Sequence, residues 1–335
     1  MRIIRYVILA AVCVIACSPA LHGQAQDATQ VLAAARAALG GEKMLTTVKS
    51  FVASGRTRQV RGNNLVPIEF EITCELPNRY VRKDQIPAQD SNLVVSGFSG
   101  DELIQSSQQA LQGRSGGPAP PPITSAARGV SPAADGRGRG GPPAGGAEQR
   151  LVAIKQDFAR LMLGVFATSF PSYPLRFTYA AEGDAPEGKA DILDVAGPAN
   201  FSARLVVQRD THLPVMLIWQ LPATNATVRV PGQPAPTLVP PGSVIVEAPA
   251  PPDPTATQEE RDRYATTVAT LRRQALTQAK PVEYRLYYAD FRDVEGMKWP
   301  FRIRRAVAGD TIEETTFDRI RINVKIDPRK FESPK

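Results

Sequence analysis

The chain has 335 residues, with 40 Lys and Arg against 33 Asp and Glu, a formal net charge of +7, three cysteines and two histidines. So small a basic excess compels no nucleic-acid partner. Three cysteines cannot build a disulfide framework, and two histidines leave no imidazole-rich metal site.

Residues 1–25 read as an export leader. Arg2 and Arg5 form a basic start, positions 6–16 are apolar but too short to span a bilayer, and Pro19 breaks the run. Leu21-His22-Gly23 and Gly23-Gln24-Ala25 both fit a peptidase site. Val14-Ile15-Ala16-Cys17 also resembles a lipobox, which would end the leader at residue 16 and lipidate Cys17. Both readings send the protein out of the cytoplasm, to the periplasm, and the second anchors it to the outer membrane through Cys17. Loss of Arg2 and Arg5 takes the net charge from +7 to +5.

A short helix is expected over 27–39, where Val31, Leu32, Ala35 and Leu39 share a face and Gly40-Gly41 stops it. A further turn follows over 42–48, then a strand over 48–60 and a turn at 61–64. Ile68, Phe70, Ile72, Cys74 and Leu76 alternate with polar residues, the period of a half-buried strand, which puts Cys74 on the buried face and the Glu69/Glu71/Glu75 row in water. Pro77-Asn78 turns the chain into a strand over 79–86, and 93–97 with 103–105 form a hairpin.

Residues 113–150 hold ten glycines and seven prolines, a composition that cannot form a packed core, and a disordered insertion is expected over 113–148. Its Arg137 and Arg139 lie among glycines, as in the tails of RNA-binding proteins, but in an exported chain a solvated loop is the simpler reading. A helix should follow, with Leu151, Ile154, Phe158, Leu161, Met162 and Val165 on one stripe and Lys155, Gln156 and Arg160 off it. Strands are expected over 175–180, 190–195, 201–207 and 214–219. A second insertion, with nine prolines in 231–254, should be extended and disordered. Thr257 and Glu260 make a capping box for a helix over 258–278 with the narrow stripe Tyr264, Val268, Leu271 and Ala275.

The closing stretch 282–326 reads as three antiparallel strands joined by turns at Glu295-Gly296 and Gly309-Asp310. Val282, Tyr284, Leu286 and Tyr288 alternate in the first, and Ile320, Ile322, Val324 and Ile326 in the last. Residues 328–335 read as a tail. About ten strands with few helices, in hairpin-spaced runs, point to an α+β fold built on an antiparallel sheet, in one domain over 27–335 once the insertions are set aside.

Catalytic constellations lack their parts. His212, on an expected hairpin turn, is the one histidine outside the leader, and no nucleophile elbow, phosphate loop or zinc motif is present. Asp290, Asp293 and Glu295 cluster at a turn, where acids are solvated, so a two-carboxylate hydrolase is a poor fit. No cofactor, metal or catalytic residue is assigned.

Two groups of residues suggest a family. Ala37-Ala-Leu-Gly-Gly41, Val48-Lys-Ser-Phe51 and Leu76-Pro-Asn-Arg-Tyr80 resemble the start of LolA-like proteins, the superfamily of outer-membrane lipoprotein-sorting carriers. Tyr287-Tyr-Ala-Asp-Phe-Arg292, Gly296-Met-Lys-Trp-Pro300 and Phe317-Asp-Arg-Ile320 with Asn323 are similar to its close. The resemblance implies a half-open β-barrel, a curved antiparallel sheet with helices on its concave face. It also implies acyl chains of lipids or lipoproteins as ligands and envelope membrane proteins as partners. The two long insertions depart from the family, and no family ligand contact can be matched position by position. On the apolar rows, the expected cavity wall is Ile68, Phe70 and Ile72, then Phe158, Leu161 and Met162, then Tyr284, Leu286 and Tyr288, with no charge required inside. The alternative is an anchored interaction or stress-sensing protein with the same fold and no ligand.

Overall fold

The computed structural model describes residues 27–61, 64–87, 93–106, 144–232, 234 and 239–333; the expected export leader, Cys17 and positions 113–143 of the expected first insertion lie outside them. Helix α1 (Ala28–Leu39) starts on Asp27, whose carboxylate accepts from the Thr29 amide at 3.2 Å, and α2 (Glu42–Thr47) follows directly. The chain then lays down β1 (Ser50–Arg61), β2 (Asn64–Glu75), β3 (Arg79–Gln85), β4 (Leu93–Ser99) and β5 (Glu102–Gln105) as successive antiparallel neighbours. Helix α3 (Ala144–Phe166) leads into β6 (Arg176–Ala185), β7 (Gly188–Gly197), β8 (Phe201–Gln208) and β9 (Pro214–Leu221). A side unit of β10 (Ala226–Arg229), β11 (Val244–Glu247) and α4 (Gln258–Gln278) precedes β12 (Val282–Val294), β13 (Met297–Val307) and β14 (Asp310–Ile322).

Twelve strands form one sheet in the order β5-β4-β3-β2-β1-β14-β13-β12-β9-β8-β7-β6, so the first and last strands of the chain meet at its centre. That junction is fastened by the Asn323 side chain, which accepts from the Lys49 amide at 2.8 Å, and by the Ser50 hydroxyl, which donates to the Val324 carbonyl at 2.7 Å. The outermost strands β5 and β6 do not pair with each other, so the sheet stays open. It is nevertheless strongly curled. Helix α3 touches β5 and β4 near one edge and also β13 and β9. Seven strand spacings separate β4 from β9, which on a flat sheet is roughly 34 Å at about 4.8 Å each, whereas a helix with its side chains is only about 10–12 Å thick. The sheet must wrap around the helix for both contacts to exist. Helix α1 touches β13, β6 and α3, so both helices lie on the concave face. The result is α+β, an open antiparallel sheet rolled around its helices.

The stripe expected on α3 faces inward: Ile154, Phe158, Leu161, Met162 and Val165 are all buried. The helix lies close against β12 at Gly164, where an added Cβ would run into the Tyr288 ring. The Tyr288 hydroxyl donates to the Arg160 carbonyl at 2.6 Å, and so fixes the same approach.

Four features differ from the sequence reading. Helix α3 begins at Ala144, inside the stretch assigned to the first insertion. Within 231–254, Val244–Glu247 pairs in parallel with β10, because the alternating Val244-Ile245-Val246 buries Val246. The C-terminal tail is not loose: Pro328–Phe331 forms a short 3-10 helix, and Phe331 packs on Val81, Val95 and Ile104 on the outer face of the sheet. Arg160, placed off the α3 stripe, is only 3% exposed. A helix on a flat sheet buries one stripe, whereas one wrapped by a curled sheet is covered on its flanks too.

Two outcomes follow from this packing. Gly164→Ala forces a methyl into the Tyr288 ring and should cost about 1–3 kcal/mol, read as a lower melting temperature in a thermal denaturation. Cys74 is buried, and burial pushes its thiol pKa well above the ordinary value. It should therefore resist a maleimide in the native protein at mildly alkaline pH and react fully in denaturant, as peptide mass spectrometry would show.

Candidate functional site

The expected wall residues are brought together. Phe70, Ile72, Phe158, Leu161, Met162, Leu286 and Tyr288 belong to one continuous buried cluster, with Tyr284 packed against it. Ile68 is fully buried and follows the same alternation along β2 as Phe70 and Ile72. The β2 row and the β12 row are separated in the sheet by β1, β14 and β13, and α3 fills the concavity between them. The Phe158 ring is the hub: it lies 5.5 Å from Tyr80, 5.3 Å from Phe98 and 6.0 Å from Phe170. Trp299 closes the floor against Phe51, Phe166 and Phe317.

The interior also carries charge, which the apolar rows alone do not require. A polar band crosses the concave face on the parity of the apolar rows. Arg82 and Asp84 point inward from β3 and pair at 2.9 Å, with the Arg82 guanidinium 4.6 Å over the Phe70 ring. Arg82 donates to the Thr57 hydroxyl at 3.2 Å, Thr57 and Thr315 share a hydrogen bond of 2.8 Å, and Thr315 donates to Glu313 at 3.4 Å. Removal from water is the largest influence on Asp84 and raises its carboxyl pKa, while the Arg82 charge opposes the shift.

A second charged group hangs from α3. Arg160 donates to Asp157 at 2.8 Å, and its guanidinium sits 4.6 Å over Trp219 and 5.3 Å over Phe201. Trp219 stacks on Tyr284 with ring centroids 5.5 Å apart. Arg305 rises from β13 in register with Leu286 and opposite Glu313 on β14. Sequence reasoning missed Arg305, although the signal was there: Trp299, Ile303, Arg305 and Val307 share one parity, and all four are buried.

Two surface grooves flank this interior. One of about 580 Å³ runs along the start of α4, past Pro252, Asp253, Arg263 and Tyr264. Another of about 480 Å³ lies at the rim of the rolled sheet among Ala223, Gly242, Val244, Lys280, Val282 and Ala308. Val282 precedes Tyr284 on the same parity of β12, so this second groove adjoins the inner wall. Among the described residues no cluster of three His, Cys, Asp or Glu side chains could hold a metal, and no helix is long and apolar enough to cross a membrane.

Phe158 is 1% exposed within its ring cluster, so Phe158→Ala should cost roughly 3–5 kcal/mol. A chemical denaturation midpoint would show it, and a loss below about 1 kcal/mol would mean that the ring borders open space.

No family model and no curated protein matches the sequence. Among solved structures the chain is similar to a LolA superfamily protein, NE2245 from Nitrosomonas europaea, at 9% identity over 92% of this chain and 99% of that chain, with a TM-score of 0.45. It is similar to a DUF1329 family protein from Desulfovibrio piger at 7% identity, over 91% and 97% of the two chains, with a TM-score of 0.39. A domain from Vibrio parahaemolyticus described as an outer membrane lipoprotein-sorting protein matches at 6% identity over 84% and 88%, also with a TM-score of 0.39.

Proposed function

We propose that this chain is an exported, non-catalytic envelope protein that binds acyl chains of lipids or lipoproteins on the concave face of its rolled sheet. The observation that carries the reading is the way the interior is filled. A two-layer β-sandwich would seal its core with a second sheet. Here the sheet is open at both edges, and its apolar concave face is covered by α1 and by α3, which carries the buried stripe. Movement of one helix would uncover an apolar trough bordered by the polar band, and each methylene then buried would contribute about 0.8 kcal/mol. The export leader at 1–25, or the lipobox ending at Cys17, supplies the compartment, and the sequence motifs at both ends of the chain resemble those of carriers.

A second reading has its own support. The full burial of Phe158, Met162 and Leu163 suits a packed scaffold that docks a partner and holds no ligand.

Native mass spectrometry of the mature protein, purified from its own envelope, separates the two. The carrier reading expects adducts with acyl-chain masses. It also expects Leu161→Glu, which puts a charge into the seam between α3 and the sheet, to remove them from protein that still melts cooperatively. Wild-type protein that is folded, free of adducts and unable to take up a neutral apolar dye would leave the scaffold.

A further inference from the structure

The unpaired polar atoms of the interior are unevenly distributed. Around the upper part of α3 the buried nitrogens without a hydrogen-bond partner are Arg160 Nε, Trp219 Nε1 and both Nε and Nη1 of Arg305. Each is a donor. Arg305 is 9% exposed, Arg160 3% and Trp219 3%. A guanidinium so deeply buried normally has a carboxylate against it, because an unpaired buried charge is strongly destabilising. Arg305 forms no ion pair among the described residues, although Glu313 lies opposite it on β14.

The groups adjoin one another. Trp219 and Tyr284 are register partners, as are Leu286 and Arg305, so β9, β12 and β13 present Trp219, Tyr284 and Arg305 on neighbouring strands of one face. Arg160 comes down from α3 over Trp219; burial is the main reason its pKa is lowered, Asp157 opposes the shift, and the Arg305 charge adds to it. The unused acceptor nearby is Asp157 Oδ2, whose carboxylate already holds Arg160 through Oδ1. Two like charges and an indole N–H, with donors in excess, fit an acceptor-only anion. The guanidinium fork matches the two oxygens of a carboxylate. The groove of about 480 Å³ opens at the same rim, beside Val282, and brings Lys280 to its mouth.

We propose that Arg305, with Arg160 and Trp219, forms a carboxylate subsite, so that the ligand class is a long-chain fatty acid held head-first at the rim end of the rolled sheet. The inference rests on the acyl-chain reading and adds a charged head to it. Arg305 supplies the fork, Arg160 the second positive charge and Trp219 a neutral donor, while the hydrocarbon lies along the apolar rows.

The test compares oleate with methyl oleate, which has the same chain without the charge, by isothermal titration against the full mature protein. Charge-assisted hydrogen bonds of ordinary strength make oleate bind about tenfold or more tighter. Arg305→Met should bring oleate down to the affinity of methyl oleate. Arg305→Lys, which keeps the charge and loses the fork, should recover part of the difference. Because the readout is the ratio of the two ligands within one protein, a variant that packs less well and weakens both still reports on the subsite. Equal binding of both ligands by wild type would overturn the subsite and leave the acyl-chain reading standing. An undiminished ratio in Arg305→Met would do the same, whereas absence of binding by either ligand would overturn both.

Discussion

The distance between α3 and β12 governs the interior. At Gly164 the helix backbone rests on the Tyr288 ring, and the hydroxyl of that ring reaches past it to the Arg160 carbonyl. This contact sets how far the helix sinks into the sheet. A helix seated that deeply can touch β4, β5, β9 and β13 together only if the strands roll around it. The curl, the burial of both flanks of α3 and the convergence of Arg160 on Trp219 all follow. A larger residue at 164 would lift the helix and loosen each of them.

The inner surface then has two chemistries stacked along the strands. Towards Trp299 it is aromatic, with Phe51, Phe166 and Phe317 edge-on to the indole. Further along it turns polar, through Thr57, Thr315, Arg82, Asp84 and Glu313, and ends at Arg305. The first part of this band satisfies itself through a chain of donors and acceptors, which limits its cost. The second part does not: four unpaired N–H donors on Arg160, Trp219 and Arg305 outnumber the one unused acceptor beside them, Asp157 Oδ2. A protein that needed only a stable core would do better with leucine at 305. An arginine retained there is in keeping with a ligand that arrives with its own negative charge.

Much of this was legible in the chain, and what was missed has a common cause. Alternation located nearly every strand of the large sheet and put Ile68, Phe70, Ile72, Leu286 and Tyr288 on the inside, because burial on one face of a strand leaves a period of two whatever the topology. The capping box at Thr257 located α4 equally well. Reading charge as a mark of solvent failed wherever the sheet curls. Arg82, Asp84, Arg305 and Glu313 occupy inward parities, and the sequence reading singled out none of them as buried. Arg160 was misplaced for the same reason on a helix. Curvature is a property of twelve strands acting together, and no local window contains it. Parity does survive locally, so a charged residue in step with Ile303 and Val307 is a better pointer to an internal site than its polarity suggests. The short β11 was hidden by the prolines around it, which a three-residue β-branched run overcame.

The place where the chain's two ends meet also constrains its biogenesis. Arg56 and Asp318, on paired strands at the middle of the sheet, are 262 positions apart in sequence. Pairings of such long range form slowly. Until β14 arrives, β1 carries an open edge in the middle of the future sheet, and the β5–β1 and β6–β9 halves have no strand to join them. On the export proposed above that delay would be useful, since a polypeptide that cannot close its sheet until β14 emerges stays threadable through a translocon. The corresponding risk lies in the waiting edge of β1, which is a template for other chains. Truncation before β14 would thus remove the centre of the sheet, leaving two half-sheets with adhesive edges where a chaperone would be needed most.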